Sequence, residues 1–231
     1  GFSSRYADRL PDPADIELLR TQESYHRLLR RATHKDPGRR FFSAADMGDQ
    51  LVGVLREVLS AEDGMPRPTA SSQFTPEHRA FGTATTGEPL TGAAVAIALP
   101  LPLVDPADPA AGFLATLNTA DLAATVAALR SAPQRSVEVV LQLVRALVEV
   151  GDLAGAVAEL NVLPNDGSDW RRDWSSGLIW LAAGQWQQAI AAFDAVYDAL
   201  PGEPAARLAL AAACELGGDL DGAARRYERV W

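Results

Sequence analysis

The hydrophobic pattern divides the chain into three stretches. In residues 1–65, Tyr25, Leu28, Leu29 and Ala32 recur at helical spacing and predict a helix over Thr21 to Thr33. His34-Lys35-Asp36-Pro37-Gly38 breaks it. Ser43, with Asp46 three residues on, is a capping-box-like start for a second helix whose apolar stripe reads Met47, Leu51, Val54, Leu55 and Val58. So little apolar surface does not sustain an independent fold, so these helices need a partner surface. Residues 66–111 are rich in proline, from Pro66 and Pro68 to Pro106 and Pro109, which precludes a continuous helix. Ala93 to Leu99 reads as a strand. The rest is extended and lies along a neighbour's surface, because Phe74, Phe81 and the Val95–Val104 stretch are too apolar for a free tether; a mobile linker is the alternative. From about residue 108 the pattern is helical: Asp108-Pro109 caps one helix, and Thr119 caps another bearing Leu122, Val126 and Leu129.

A repeat dominates the last stretch. Gly177 is followed by Trp180, Gly184, Ala189, Phe193 and Pro201 at intervals of 3, 4, 5, 4 and 8 residues. Gly151, Leu153, Ala156 and Leu160 lie 33 residues before Gly184, Trp186, Ala189 and Phe193; Gly218, Leu220, Ala223 and Tyr227 lie 34 after them. This is the spacing of a tetratricopeptide unit, two antiparallel helices joined by a tight turn. The small residues sit where paired helices approach, Trp180 and Phe193 fill the space between hairpins, Gly184 ends the first helix, and Pro201 stops the second. The expected fold is mainly α: two or three helices over 1–65, an extended stretch over 66–111, and a tetratricopeptide solenoid over 112–231. Its hairpins fall at about 137–168, 170–203 and 204–231, continuing past Trp231.

Composition narrows the function. The net charge is −9, and residues 136–231 carry 14 acidic against 7 basic side chains, which argues against a nucleic-acid or anionic-membrane partner. No apolar run is long enough to span a membrane. The single cysteine, Cys214, excludes an internal disulfide, fits a reducing, cytoplasmic setting, and reads as core packing. His26, His34 and His78 lack metal-ligand spacing. Neither end carries a start or stop signal, so both are expected to be cut from something longer.

The first stretch adds a second motif. Leu28-Leu29, Asp36-Pro37-Gly38-Arg39-Arg40-Phe41 and Ser43-Ala44 opening a helix are similar to the last subdomain of eukaryotic-type protein kinases. Together with Arg27-Leu28-Leu29-Arg30-Arg31-Ala32, Gly53-Val54-Leu55-Arg56-Glu57-Val58, Pro66-Arg67-Pro68, Ala80-Phe81-Gly82, Pro102-Leu103-Val104-Asp105-Pro106 and Gly184 to Trp231, they resemble the actinobacterial serine/threonine protein kinase G family over nearly the whole chain. The resemblance implies the end of a kinase C-lobe (1–65), a linker and a repeat domain. It implies ATP and magnesium as cofactors of the parent kinase. It places Arg40 where the family has an arginine that pairs with a buried glutamate of the activation segment. The chain has no G-x-G-x-x-G, H-R-D or D-F-G, so no catalytic, cofactor-binding or metal residue is carried over, and it should be inactive alone. Arg40, without its partner, is expected to be exposed or to find another carboxylate.

The inner groove of such repeats is lined by the first helix of each hairpin. Helical spacing puts Glu138, Leu141, Arg145 and Glu149 there from the first hairpin, Arg171, Trp174 and Leu178 from the second, and Leu208 and Glu215 from the third. A mixed charged and apolar groove suits an extended peptide or a helix; a solvated face without a ligand is the alternative. The partners expected are the catalytic lobes of the parent chain, a protein or peptide in the groove, and a second copy of the chain as a homodimer. Two functions compete: a non-catalytic docking and regulatory segment of a kinase, and a free-standing repeat adaptor with a relic kinase tail.

Overall fold

The computed structural model describes residues 10–75, 90–117, 121–165, 167 and 169–229. Three helical hairpins form its C-terminal half: α7 (Val137–Glu149) with α8 (Leu153–Leu160), α9 (Trp170–Ala182) with α10 (Trp186–Ala199), and α11 (Pro204–Leu216) with α12 (Leu220–Tyr227). Each turn is built the same way. Gly151, Gly184 and Gly218 take φ of +81°, +70° and +87°, the left-handed conformation that glycine adopts without a Cβ clash. The glycine N–H donates to Val148, Leu181 or Glu215 O, and the next residue's N–H to Leu147, Trp180 or Cys214 O, which pairs the loose carbonyls of the first helix. In the first and third turns that next residue is Asp152 or Asp219, whose carboxylate accepts from Gly155 or Gly222 N–H and starts the second helix.

The seam between helices is dry. Ala156, Ala189 and Ala223 are buried, as are Phe193, Val196 and Leu181. A Cβ on Gly177 would stand 2.5 Å from the Phe193 ring, so the absence of a side chain there lets α9 and α10 close. α6 (Leu122–Arg130) packs on α7 and covers the first hairpin with Val126 and Leu129. Its N-cap is Asp121, which accepts from Ala124 N–H; the expected cap, Thr119, lies outside the described residues. The helix expected at Asp108-Pro109 begins at Ala111 (α5, Ala111–Leu114), because Asp108 instead closes a turn by accepting from Ala110 N–H.

The N-terminal stretch also departs from expectation. The helix read over Thr21 to Thr33 runs from Glu23 to Ala32 (α2), and a further short helix, α1 (Glu17–Thr21), precedes it across Gln22, whose ψ is non-helical. Ser43 caps α3 (Ala44–Asp63) by accepting from Asp46 N–H, and the Asp46 carboxylate accepts in return from Phe42 N–H. The buried stripe of α3 is the expected one only in part. Gln50 and Val54 are buried, whereas Leu51 and Leu55 are 43% and 52% exposed. The reason is close backbone approach: Gly53 lies against Gly202, so the face of Gln50, Gly53, Val54 and Glu57 meets the repeats.

The segment expected as a strand, Ala93 to Leu99, is a helix, α4 (Gly92–Ala98). Thr91 caps it by accepting from Ala94 N–H, its alanines favour the helical state, and it packs on α7, α9 and α11. A Cβ on Gly92 would lie 3.0 Å from the Leu181 carbonyl carbon. Among the described residues, extended pairing is confined to one bridge, Phe74 with Pro102, made by Thr75 N–H to Leu101 O and Leu103 N–H to Gln73 O, each 2.8 Å.

Candidate protein-interaction groove

The first helices of the three hairpins carry equivalent positions at the repeat pitch. Leu141, Trp174 and Leu208 share a repeat position, and all three are buried. The cover is the chain itself. Phe74 enters between Trp170 and Trp174, with ring centroids 5.1 and 4.6 Å away, and Trp174 meets Phe193 edge-on at 5.4 Å. Ser71 anchors this insertion: its hydroxyl donates to Glu203 Oε2 (2.8 Å) and accepts from the N–H groups of Gln73 and Phe74.

Further along, Arg145 caps the C-terminal end of α4. Its Nη1 donates to Ala96 O (2.9 Å), its Nη2 to Ile97 O (2.6 Å), and its Nε to Glu149 (2.6 Å). A cation there satisfies loose carbonyls and meets the negative end of the helix dipole. Glu138 Oε1 accepts from Asp105 N–H (3.1 Å) and pairs with Arg171, which is itself held by Asp169 at 2.8 Å. Burial pushes the Glu138 carboxyl above its ordinary range, opposed by the Asp105 N–H and the Arg171 charge. Leu178 is buried beside them. Glu215 stands apart, exposed and accepting from Tyr227 of its own hairpin (2.8 Å). Arg40 is exposed and donates through Nε to His34 O (2.6 Å) rather than to a carboxylate.

A second set of contacts ties the N-terminal helices to the repeats. Arg27 of α2 reaches Asp194 and Asp198 of α10, both at 2.6 Å, and Glu23 at 2.7 Å, while its guanidinium lies 4.3 Å from the Tyr197 ring centroid. Burial opposes the charge, but the hydrogen bond to Asp194 and the fields of Asp194, Asp198 and Glu23 prevail and hold its pKa above the ordinary value. One turn on, Arg30 pairs with Asp198 (2.7 Å) and Arg31 donates to Ala199 O. Arg207 of α11, buried, pairs with Glu57 of α3 and donates to the Tyr197 hydroxyl (2.9 Å); burial pushes that phenol up to about 12. Gln50 Oε1 accepts from Gly202 N–H (2.9 Å). Sequence reasoning missed Arg27, Gln50, Glu203 and Arg207, whose partners lie 132 to 171 residues away.

Among the described residues no helix is long and apolar enough to cross a membrane, and no group of three His, Cys, Asp or Glu side chains is placed to hold a metal ion.

Stacked hairpins with positive-φ glycine turns and small-residue seams, repeated at a pitch of 33 or 34 residues, define a tetratricopeptide-repeat protein. Residues 68–231 match the protein kinase G tetratricopeptide repeat family, and the chain belongs to that family. It is 39% identical over 98% of its length to the serine/threonine-protein kinase PknG of Mycolicibacterium smegmatis. It is 38% identical over 99% of its length to the protein of that name from Mycobacterium leprae. The chain spans about a third of the length of these curated relatives.

Proposed function

We propose that this chain is the non-catalytic docking and regulatory segment of an ATP-dependent serine/threonine protein kinase of the cytoplasm. Its repeats serve as an interaction scaffold fixed to helices that belong to the catalytic C-lobe. The observation that carries this reading is the division of labour on α3. One face is spent on the repeats through Gln50, Gly53, Val54 and Glu57. The other leaves Leu51, Val52, Leu55 and Leu59 exposed, next to a Phe42 that is 98% exposed. An apolar face of this kind on a helix end-stopped by Gly64 suits the remainder of a kinase lobe. The groove residues Trp174, Arg145 and Glu138, the last paired with Arg171, hold Phe74, Ala96, Ile97 and Asp105 of the same chain, so protein partners use the surfaces left outside the groove.

The test is association in trans. The catalytic portion of the Mycolicibacterium smegmatis relative, lacking the third that this chain matches, is titrated with the chain. Saturable one-to-one binding, weakened by Leu51→Asp with Leu55→Asp, supports the reading. No association, or association indifferent to that pair of changes, points to a free-standing repeat adaptor.

A further inference from the structure

We infer that the cleft between α3 and the third hairpin is a binding site for a small organic anion, an apolar body carrying one carboxylate or phosphate. The cleft holds about 470 Å³, within the size range of small-molecule sites. Pro66, Pro68 and Pro204 give it apolar walls, and Arg56, Arg207 and Arg229 also line it.

The charge there is unbalanced. Glu57, the carboxylate of the lining, is taken by Arg207. Arg67, also in the lining, is held by Asp63 at 2.5 Å. Arg56 has no ion-pair partner among the described residues, and the Arg229 guanidinium meets an uncharged partner, Gln22 Oε1, at 3.4 Å. Two arginines without an ion-pair partner among the described residues therefore line an apolar cleft on a chain of net charge −9. A cation in such surroundings is stabilised by an anion, and the planar fork of arginine fits carboxylate and phosphate oxygens alike. Because the cleft is walled by α3, by residues 66–69 and by the start of α11, an occupant would clamp the N-terminal helices onto the repeats. The inference goes beyond protein docking: it adds a small-molecule site at the joint.

The intact chain is titrated with 1-naphthoate, 1-naphthyl phosphate and the neutral 1-naphthalenemethanol, following the Gly53 and Gly202 amide resonances and the thermal midpoint. Saturable shifts at both glycines, a raised midpoint, and an affinity for one anion at least about tenfold above the alcohol support the site. Tighter binding of the carboxylate or of the phosphate tells which head group it takes. Arg56→Gln with Arg229→Gln should weaken the anion by about tenfold or more, whereas Arg56→Lys retains it; the unliganded midpoint checks that the variants fold. Equal affinity for the alcohol, no shift at either glycine at millimolar probe, or an undiminished affinity in the double variant overturns the proposal.

Discussion

Gly53 and Gly202 meet backbone to backbone, although 149 residues separate them. A Cβ on Gly53 would lie 2.8 Å from the Gly202 carbonyl carbon, and a Cβ on Gly202 would lie 2.9 Å from that of Gln50. Neither obstacle is a side chain that can swing away. The junction between the N-terminal helices and the repeats is thus closed by the absence of side chains, then locked by Gln50, Glu57, Arg27 and Arg207.

Two glycines in one helix should therefore respond in opposite directions. Gly53→Ala forces the junction apart and should destabilise the protein by about 1–3 kcal/mol. Gly48, five residues earlier in α3, has nothing within 4 Å of its would-be Cβ, and Gly48→Ala should stabilise by about 0.5–1 kcal/mol through helix propensity. Urea unfolding of the two variants checks both signs.

Arg27 should prove the stronger lock. Arg27→Ala leaves Asp194 without its cation and Asp198 with Arg30 alone. The expected loss is about 2 kcal/mol, below that of a wholly buried pair because both carboxylates keep contact with water. Arg27→Lys keeps the charge but not the fork that spans Glu23, Asp194 and Asp198, so it should recover less than half of the loss. Chemical denaturation, with limited proteolysis between α2 and α3 as a local readout, measures this.

What the residues announced and what they concealed follows from the range of the interactions. The hairpins were legible because their causes are local: Gly151, Gly184 and Gly218 sit at left-handed turns, and Asp152 and Asp219 cap the helices that follow. The shared repeat position of Leu141, Trp174 and Leu208 was legible too, since the three recur at the hairpin pitch. Their occupant was not, because Phe74 reaches Trp174 by tertiary packing that no spacing encodes. Ala93 to Leu99 read as a strand because a short apolar run between prolines looks the same in either state. The stripe of α3 was right at Val54 and wrong at Leu51 and Leu55, because its docking face uses Gln50 and Gly53, residues that hydrophobic patterning ignores.

Glu203 should give the protein a measurable pH dependence. Burial raises its pKa, the Ser71 hydroxyl opposes this, and Asp49 adds to it. The folded state therefore binds the proton more tightly than the unfolded chain does. That contribution to stability is fully present below the unfolded value near 4.5 and is lost as pH rises through the folded value. Glu203→Gln keeps a hydrogen-bond acceptor for Ser71 without the charge. The variant should gain on the wild type as pH rises from mild acid to neutrality, and the two should converge below the unfolded carboxylate range. A pH series of thermal midpoints, taken as the difference between the two proteins, isolates this residue.

Hydrogen exchange at two amides tests the self-occupied groove most directly. Thr75 and Leu103 N–H groups donate across the only bridge that pairs the two extended parts of the segment among the described residues. Both should be strongly protected in the wild type and lose about tenfold or more of that protection in Phe74→Ala, while core amides of α10 such as Phe193 keep theirs. Fast exchange at Thr75 and Leu103 in the unaltered chain would show the segment to be free of the groove, and the account of the repeats as a cradle for their own chain would fail.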